Sequence, residues 1–161
     1  MKDFATLFAT LDQTTKTSLK TKALADFFSH ASDDDKLWCI ALFSDRRPRR
    51  AVTTTQLREW AAEQAGVPLW LLEESYPIVG DLAETIALLL PPAQAVEDRP
   101  LTHWINTLQA LHHVDKEDRK SHILAAWEVL DTTERFLFNK LITGGFRIGV
   151  SRKLMTRALA Q

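Results

Sequence analysis

The sequence predicts an all-α fold, an irregular multi-helix domain of about ten helices, and three observations predict it. Apolar residues recur at i, i+3, i+4 and i+7 along most of the chain, the spacing of one buried helix face. Thr, Asp or Ser precedes many of these runs and Gly or Pro follows them, as helix starts and stops require. No segment alternates apolar and polar residues convincingly enough to make a strand. With 161 residues, 45 % of them hydrophobic and 25 % charged, the chain fits one globular domain able to bury a core without disulfides or metal.

The elements follow in order. Phe4, Leu7, Phe8 and Leu11 mark the first helix, and Leu19, Leu24, Phe27 and Phe28 mark a second that begins near Thr15. Asp33-Asp34-Asp35 bring negative charge to the start of a third, which carries Leu37, Trp38, Ile40, Ala41 and Leu42. The loop Arg46-Arg47-Pro48-Arg49-Arg50 interrupts. Thr53 with Gln56 reads as a capping box for a helix bearing Leu57, Trp60, Ala61 and Ala65, closed by Gly66. Pro68 starts a short helix with Trp70, Leu71 and Leu72. Asp81 with Glu84 makes another box ahead of Leu82, Ile86, Leu89 and Leu90, and Pro91-Pro92 stops that helix. Residues 91–100 form a long loop. Thr102, Asp115 and Asp131 are candidate caps of three more helices, with faces Trp104, Ile105, Leu108, Leu111, then Ile123, Trp127, Leu130, then Phe136, Leu137, Leu141. Gly144-Gly145 ends the last of these, and Ser151 caps a final helix with Leu154, Met155, Ala158 and Leu159. No repeat period or low-complexity tract is present.

Net charge is −1, yet the charge is unevenly spread. Glu59 to Asp98 holds eight acidic residues and no Lys or Arg, whereas Arg135 to Gln161 holds Arg135, Lys140, Arg147, Arg152, Lys153 and Arg157 with no acid. The arginine loop at 46–50 has only Asp45 beside it. Such polarisation suits a polyanionic partner, and equally two solvated charge clusters that bind nothing.

Several function classes are excluded or left thin. No apolar run approaches 18 residues and the start Met1-Lys2-Asp3-Phe4 does not read as a signal peptide, so no membrane association is expected. One cysteine, Cys39, falls on an apolar helix face and fits a reducing, cytoplasmic compartment. His112 and His113, with His103 and His122, do not make a metal site, because adjacent helix positions diverge by about 100°. Gly144 followed by Gly149-Val150-Ser151 mimics a P-loop frame, but Val150 stands where that motif needs lysine and no strand precedes it. Among the aromatics, Phe146 is the candidate for stacking on unpaired bases, since it lies among basic residues.

The segment Lys140-Leu141-Ile142-Thr143-Gly144-Gly145-Phe146-Arg147-Ile148-Gly149-Val150-Ser151-Arg152-Lys153 carries most information. Two helices meet there through a glycine-rich turn in the acid-free region. Glycine admits a phosphate close to the backbone, and N–H groups at the next helix start point outward as donors. The segment reads as a phosphate clamp or, on spacing alone, as a plain helix–turn–helix corner.

Lys140 through Leu159 resembles the end of the DNA-binding domain of ATP-dependent DNA ligases. There a basic residue, an apolar pair and a Gly turn lead to Leu/Phe-Arg-Ile/Leu-Gly and a helix. Glu74-Ser75-Tyr76 with Gly80-Asp81-Leu82-Ala83-Glu84 resembles a second signature, in which Ala83 replaces the usual glycine. Thr17 to Phe28 matches the opening helix pattern, and the arginine loop with Leu57-Arg58-Glu59-Trp60-Ala61 is most similar to the bacterial branch. The likeness covers essentially the whole chain.

The resemblance implies sequence-independent binding of nicked double-stranded DNA along the minor groove, in replication, repair or recombination. The contacts it implies are Lys140, Thr143, Gly144, Gly145, Arg147, Gly149, Ser151, Arg152 and Lys153, with Arg46, Arg47, Arg49 and Arg50 as a second cluster. It further implies a monomer working on the bacterial nucleoid. The adenylated Lys-x-Asp-Gly of these enzymes is missing. Lys116-Glu117-Asp118-Arg119 lacks its glycine and sits in a predicted helix. Residues 1–161 therefore read as a fragment without catalytic residues, cofactor or metal. Nucleotidyltransferase and OB domains, using ATP and Mg²⁺, are expected after residue 161 and in contact with it. The rival reading is a helical protein-interaction module whose Arg46–Arg50 loop docks an acidic partner.

Overall fold

A computed structural model describes residues 1–146 and 148–161. Those residues form ten α-helices, one short 3-10 turn at Leu111–His113 and no strand. They group into two compact units, each assembled from distant stretches of chain.

The first unit comprises Met1–Arg47, Arg99–Trp104 and Gly144–Gln161. It contains α1 (Lys2–Gln13), α2 (Thr17–His30), α3 (Asp33–Phe43) and α10 (Arg152–Leu159). Helices α1 and α10 both pack on α2. Phe4 is the hub of its core, with ring centroids 6.1 Å from Phe27, 5.8 Å from Phe43 and 6.2 Å from Phe146. Ser32 caps α3 by accepting the Asp35 N–H, so the three aspartates form its first turn. The Asp35 carboxylate turns inward and accepts the Thr102 backbone N–H at 2.9 Å. Thr102 is accordingly inside a helix, α7 (Leu101–Ala110), and does not cap it. Helix α2 begins at Thr17, two residues after the expected start, with Lys16 at its N-cap.

The second unit comprises Pro48–Asp98 and Ile105–Thr143. It holds α4 (Thr54–Ala65), α5 (Leu69–Val79), α6 (Leu82–Leu89), the rest of α7, α8 (Lys116–Val129) and α9 (Thr132–Thr143). Thr53 and Gln56 close both arms of the capping box, and Gly66 ends α4 in the left-handed region. Asp81 and Asp131 each accept the N–H three residues on, one arm of a box. Helix α6 packs on α9, and α4 and α5 pack on α6. Fully buried Asn139 fixes the register here. Its amide donates to the Ala83 carbonyl at 3.2 Å, and its Oδ1 accepts the Trp127 indole N–H at 2.8 Å. A mispaired amide at that depth would cost on the order of 1–3 kcal/mol. The 91–100 loop is tied at Glu97, whose N–H donates to the Val129 carbonyl.

Candidate nucleic-acid interface

In the first unit the chain turns at Gly144 and Gly145, buries Phe146, passes Ile148 and Gly149, and enters α10 at Ser151. Ser151 Oγ accepts the Leu154 N–H at 3.1 Å, which fixes the helix start. The first N–H groups of α10 then have no intrahelical partner. Arg152 and Lys153 stand exposed in that first turn, while Leu154, Met155 and Ala158 face inward. The helix is therefore cleanly two-sided. Arg147 lies outside the described residues.

The arginine loop enters the same unit through the end of α3. The Asp45 N–H donates to Leu42 O and the Arg46 N–H to Ala41 O, a Schellman pair with Asp45 at φ 65°. This closure sets the direction in which Arg46 and Arg47 leave the helix. Gly144 has φ 91°, and a Cβ there would sit 2.9 Å from Cζ of Arg47. The Arg47 guanidinium thus rests on the glycine backbone. Two clusters read separately in the sequence meet at this point.

Arg49 and Arg50 belong to the second unit. Both are exposed, yet the backbone beneath them is tethered: Pro48 and Val52 are buried. The Arg49 carbonyl accepts from Nε2 of His112, and the Ala51 carbonyl from Arg119 Nη1 at 2.7 Å. Arg50 Nε donates to the Ile142 carbonyl near the end of α9, so this arginine also serves that helix terminus. Thr143, the last residue of α9, is half-buried.

Three sequence expectations need correction. Lys140 does not present its charge to solvent: it is 5 % exposed and its ammonium pairs with Asp81 Oδ2 at 2.6 Å. Arg135, counted in the basic run, is also buried, and donates to the carbonyls of Trp127 and Pro91. Phe146 is buried against Phe4 and Phe8 and offers no face to a base. In all three the side chain is consumed by its own unit.

Sequence reading also missed a residue. Lys20 is 9 % exposed, and its ammonium donates to the carbonyls of Ile148 at 3.0 Å and Gly149 at 3.3 Å. The signal was available in helical phase. Lys20, Leu24, Phe27 and Phe28 fall at i, i+4, i+7 and i+8, the buried face of α2. Leu19, assigned to that face from the sequence, is 46 % exposed.

The family model described as DNA ligase N terminus matches residues 1–160. The chain belongs to this family. It is an N-terminal domain of the ATP-dependent DNA ligases, and DNA is the partner which that membership implies. No curated protein matches the chain.

In this ligase domain the second signature has a structural meaning. Gly80 ends α5 with φ 87°, Asp81 both caps α6 and holds Lys140, and Ala83 is buried with its carbonyl on Asn139. The ligase domain's Lys116 is exposed at the start of α8. Among the described residues no group of three or more His, Cys, Asp or Glu could hold a metal ion. Cys39 is buried, and burial first, then the Asp35 charge, pushes its thiol far above the usual range. Among the described residues no helix is long and apolar enough to cross a membrane.

Proposed function

We propose that this ligase domain binds duplex DNA without sequence preference, gripping phosphates beside a nick across the minor groove. The observation that carries the reading is the composition of one unit's surface. Arg46, Arg47, Gly144, Gly145, Gly149, Ser151, Arg152 and Lys153 all belong to that unit, all but half-buried Gly144 are exposed, and no acid occurs after Glu134. Backbone N–H groups and cations of this kind position a duplex and read no bases. Thr143, Arg49 and Arg50, which belong to the second unit, and Arg147 join the proposal on the family resemblance alone. Lys140 is left out, because its charge is already neutralised by Asp81.

Sealing of 3′-hydroxyl to 5′-phosphate belongs, in this proposal, to nucleotidyltransferase and OB domains outside residues 1–161. ATP and Mg²⁺ would act there. The residues present do not fit ATP, since Lys116-Glu117-Asp118-Arg119 lacks the glycine of the adenylation motif and the 144–151 turn lacks the P-loop lysine. We further propose a monomer of bacterial type that serves DNA replication, repair or recombination in the cytoplasm.

The test is a salt titration with plain duplex DNA. With four or five phosphate contacts, log K should fall against log salt with a slope of about −4. Binding that barely changes between low and physiological salt would instead favour docking of an acidic protein by the 46–50 loop.

A further inference from the structure

A lysine ammonium carries three donors and is costly to bury without an anion. Lys20 is nine-tenths buried, and the two acceptors it meets are backbone carbonyls, Ile148 O at 3.0 Å and Gly149 O at 3.3 Å. No carboxylate contacts it among the described residues. A buried cation clamped on a glycine turn is an unusual expense for mere packing. An aliphatic residue would fill the same face of α2 without desolvating a charge.

The geometry of the peptide unit says what the clamp does. In a trans peptide the C=O and the following N–H point in opposite directions, and no cis bond occurs among the described residues. By drawing the carbonyls of Ile148 and Gly149 inward, Lys20 turns the N–H groups of Gly149 and Val150 the other way. Neither N–H has a partner among the described residues. They precede the unpartnered first N–H groups of α10 and exposed Arg152 and Lys153. Successive donors aimed one way form an anion-binding concavity. Gly149 makes the clamp possible, since a Cβ at this position would lie 2.9 Å from the Lys20 ammonium.

We propose that Lys20 is the positioning residue of a phosphodiester-binding nest formed by the backbone of Gly149 and Val150 and the start of α10. The inference rests on the DNA-binding reading above and assigns its main anion site. Lys20 touches no phosphate itself. It orients the donors that do, and its buried charge is balanced when the phosphate arrives.

The experiment compares the 161-residue chain with Lys20→Met, measuring affinity for a fluorescent plain duplex across a salt series and melting temperature in parallel. The expected result is binding roughly tenfold weaker at every salt concentration, as for loss of one charged hydrogen-bonded group. The two salt lines should be parallel, because no cation that contacts a phosphate is removed. A lower melting temperature with parent-like affinity would reduce Lys20 to a structural role. A slope shallower by about 0.9 would make it a direct phosphate contact; either result overturns the proposal. Should Lys20→Met fail to fold, the ¹⁵Nζ resonance of Lys20 in the parent decides: it should shift on adding duplex, and a stationary signal refutes the coupling. A parent that binds no duplex sinks the DNA-binding reading along with this one. A parent that binds beside an unaltered Lys20→Met sinks this one alone.

Discussion

At Gly144 one atom separates two outcomes. Its φ of 91° is a conformation that side-chain-bearing residues rarely adopt, and its missing Cβ leaves room for the Arg47 guanidinium at 2.9 Å. Gly144→Ala should therefore lower stability by on the order of 1 kcal/mol through backbone strain. It should also displace Arg47 and weaken duplex binding beyond what the stability loss explains; calorimetry and a binding isotherm on one preparation check both. Glu134 shows a different kind of constraint. It is 2 % exposed, and burial first, then a hydrogen bond to the Asp131 side chain and that residue's charge, push its carboxyl up to about 7. The folded state thus holds a proton that the unfolded chain releases near its ordinary value of about 4.3. The resulting stabilisation is complete below that value and is lost as pH rises through about 7. Relative to the parent, Glu134→Gln should gain stability from pH 5 upward and level off above about pH 7. Parallel melting curves across that window would exclude this assignment.

At the scale of elements, the joint between α6 and α9 accounts for a signature that looked functional. Asp81 spends one oxygen on the Glu84 N–H and the other on Lys140, while Asn139 bridges Ala83 and Trp127. Asp81→Ala removes a helix cap and leaves an ammonium buried without its anion. A loss on the order of 3 kcal/mol is expected in denaturant titration, with duplex affinity per folded molecule unchanged, since Lys140 is buried within its own unit. Altered affinity at full folding would return Lys140 to the binding surface. Helix boundaries were readable where a cap supplied a local signal: Ser151, Asp81 and the Thr53–Gln56 pair all act where their spacing put them. Thr102 misled because its capping chemistry is used on Asp35, 67 residues away in sequence.

For the whole molecule, membership of the DNA ligase N-terminal family and the lack of a Lys-x-Asp-Gly motif lead to one expectation. Residues 1–161 incubated with labelled ATP and Mg²⁺ should acquire no adenylate and seal no nick, while still binding duplex; label on any lysine would contradict it. The sequence by itself determined the all-helical class, most helix limits and the glycine-rich turn beside basic residues. These depend on periodicity, caps and stops, which act within a turn or two of chain. Only the tertiary structure decided which charges remain available. Lys140 and Arg135 looked like part of a basic face and are buried, because their partners Asp81 and Pro91 lie 59 and 44 residues away. Lys20 sits under the turn, 129 residues from Gly149. A charge is buried or displayed according to what distant chain is folded against it, and pairing at that range leaves no spacing pattern in the sequence.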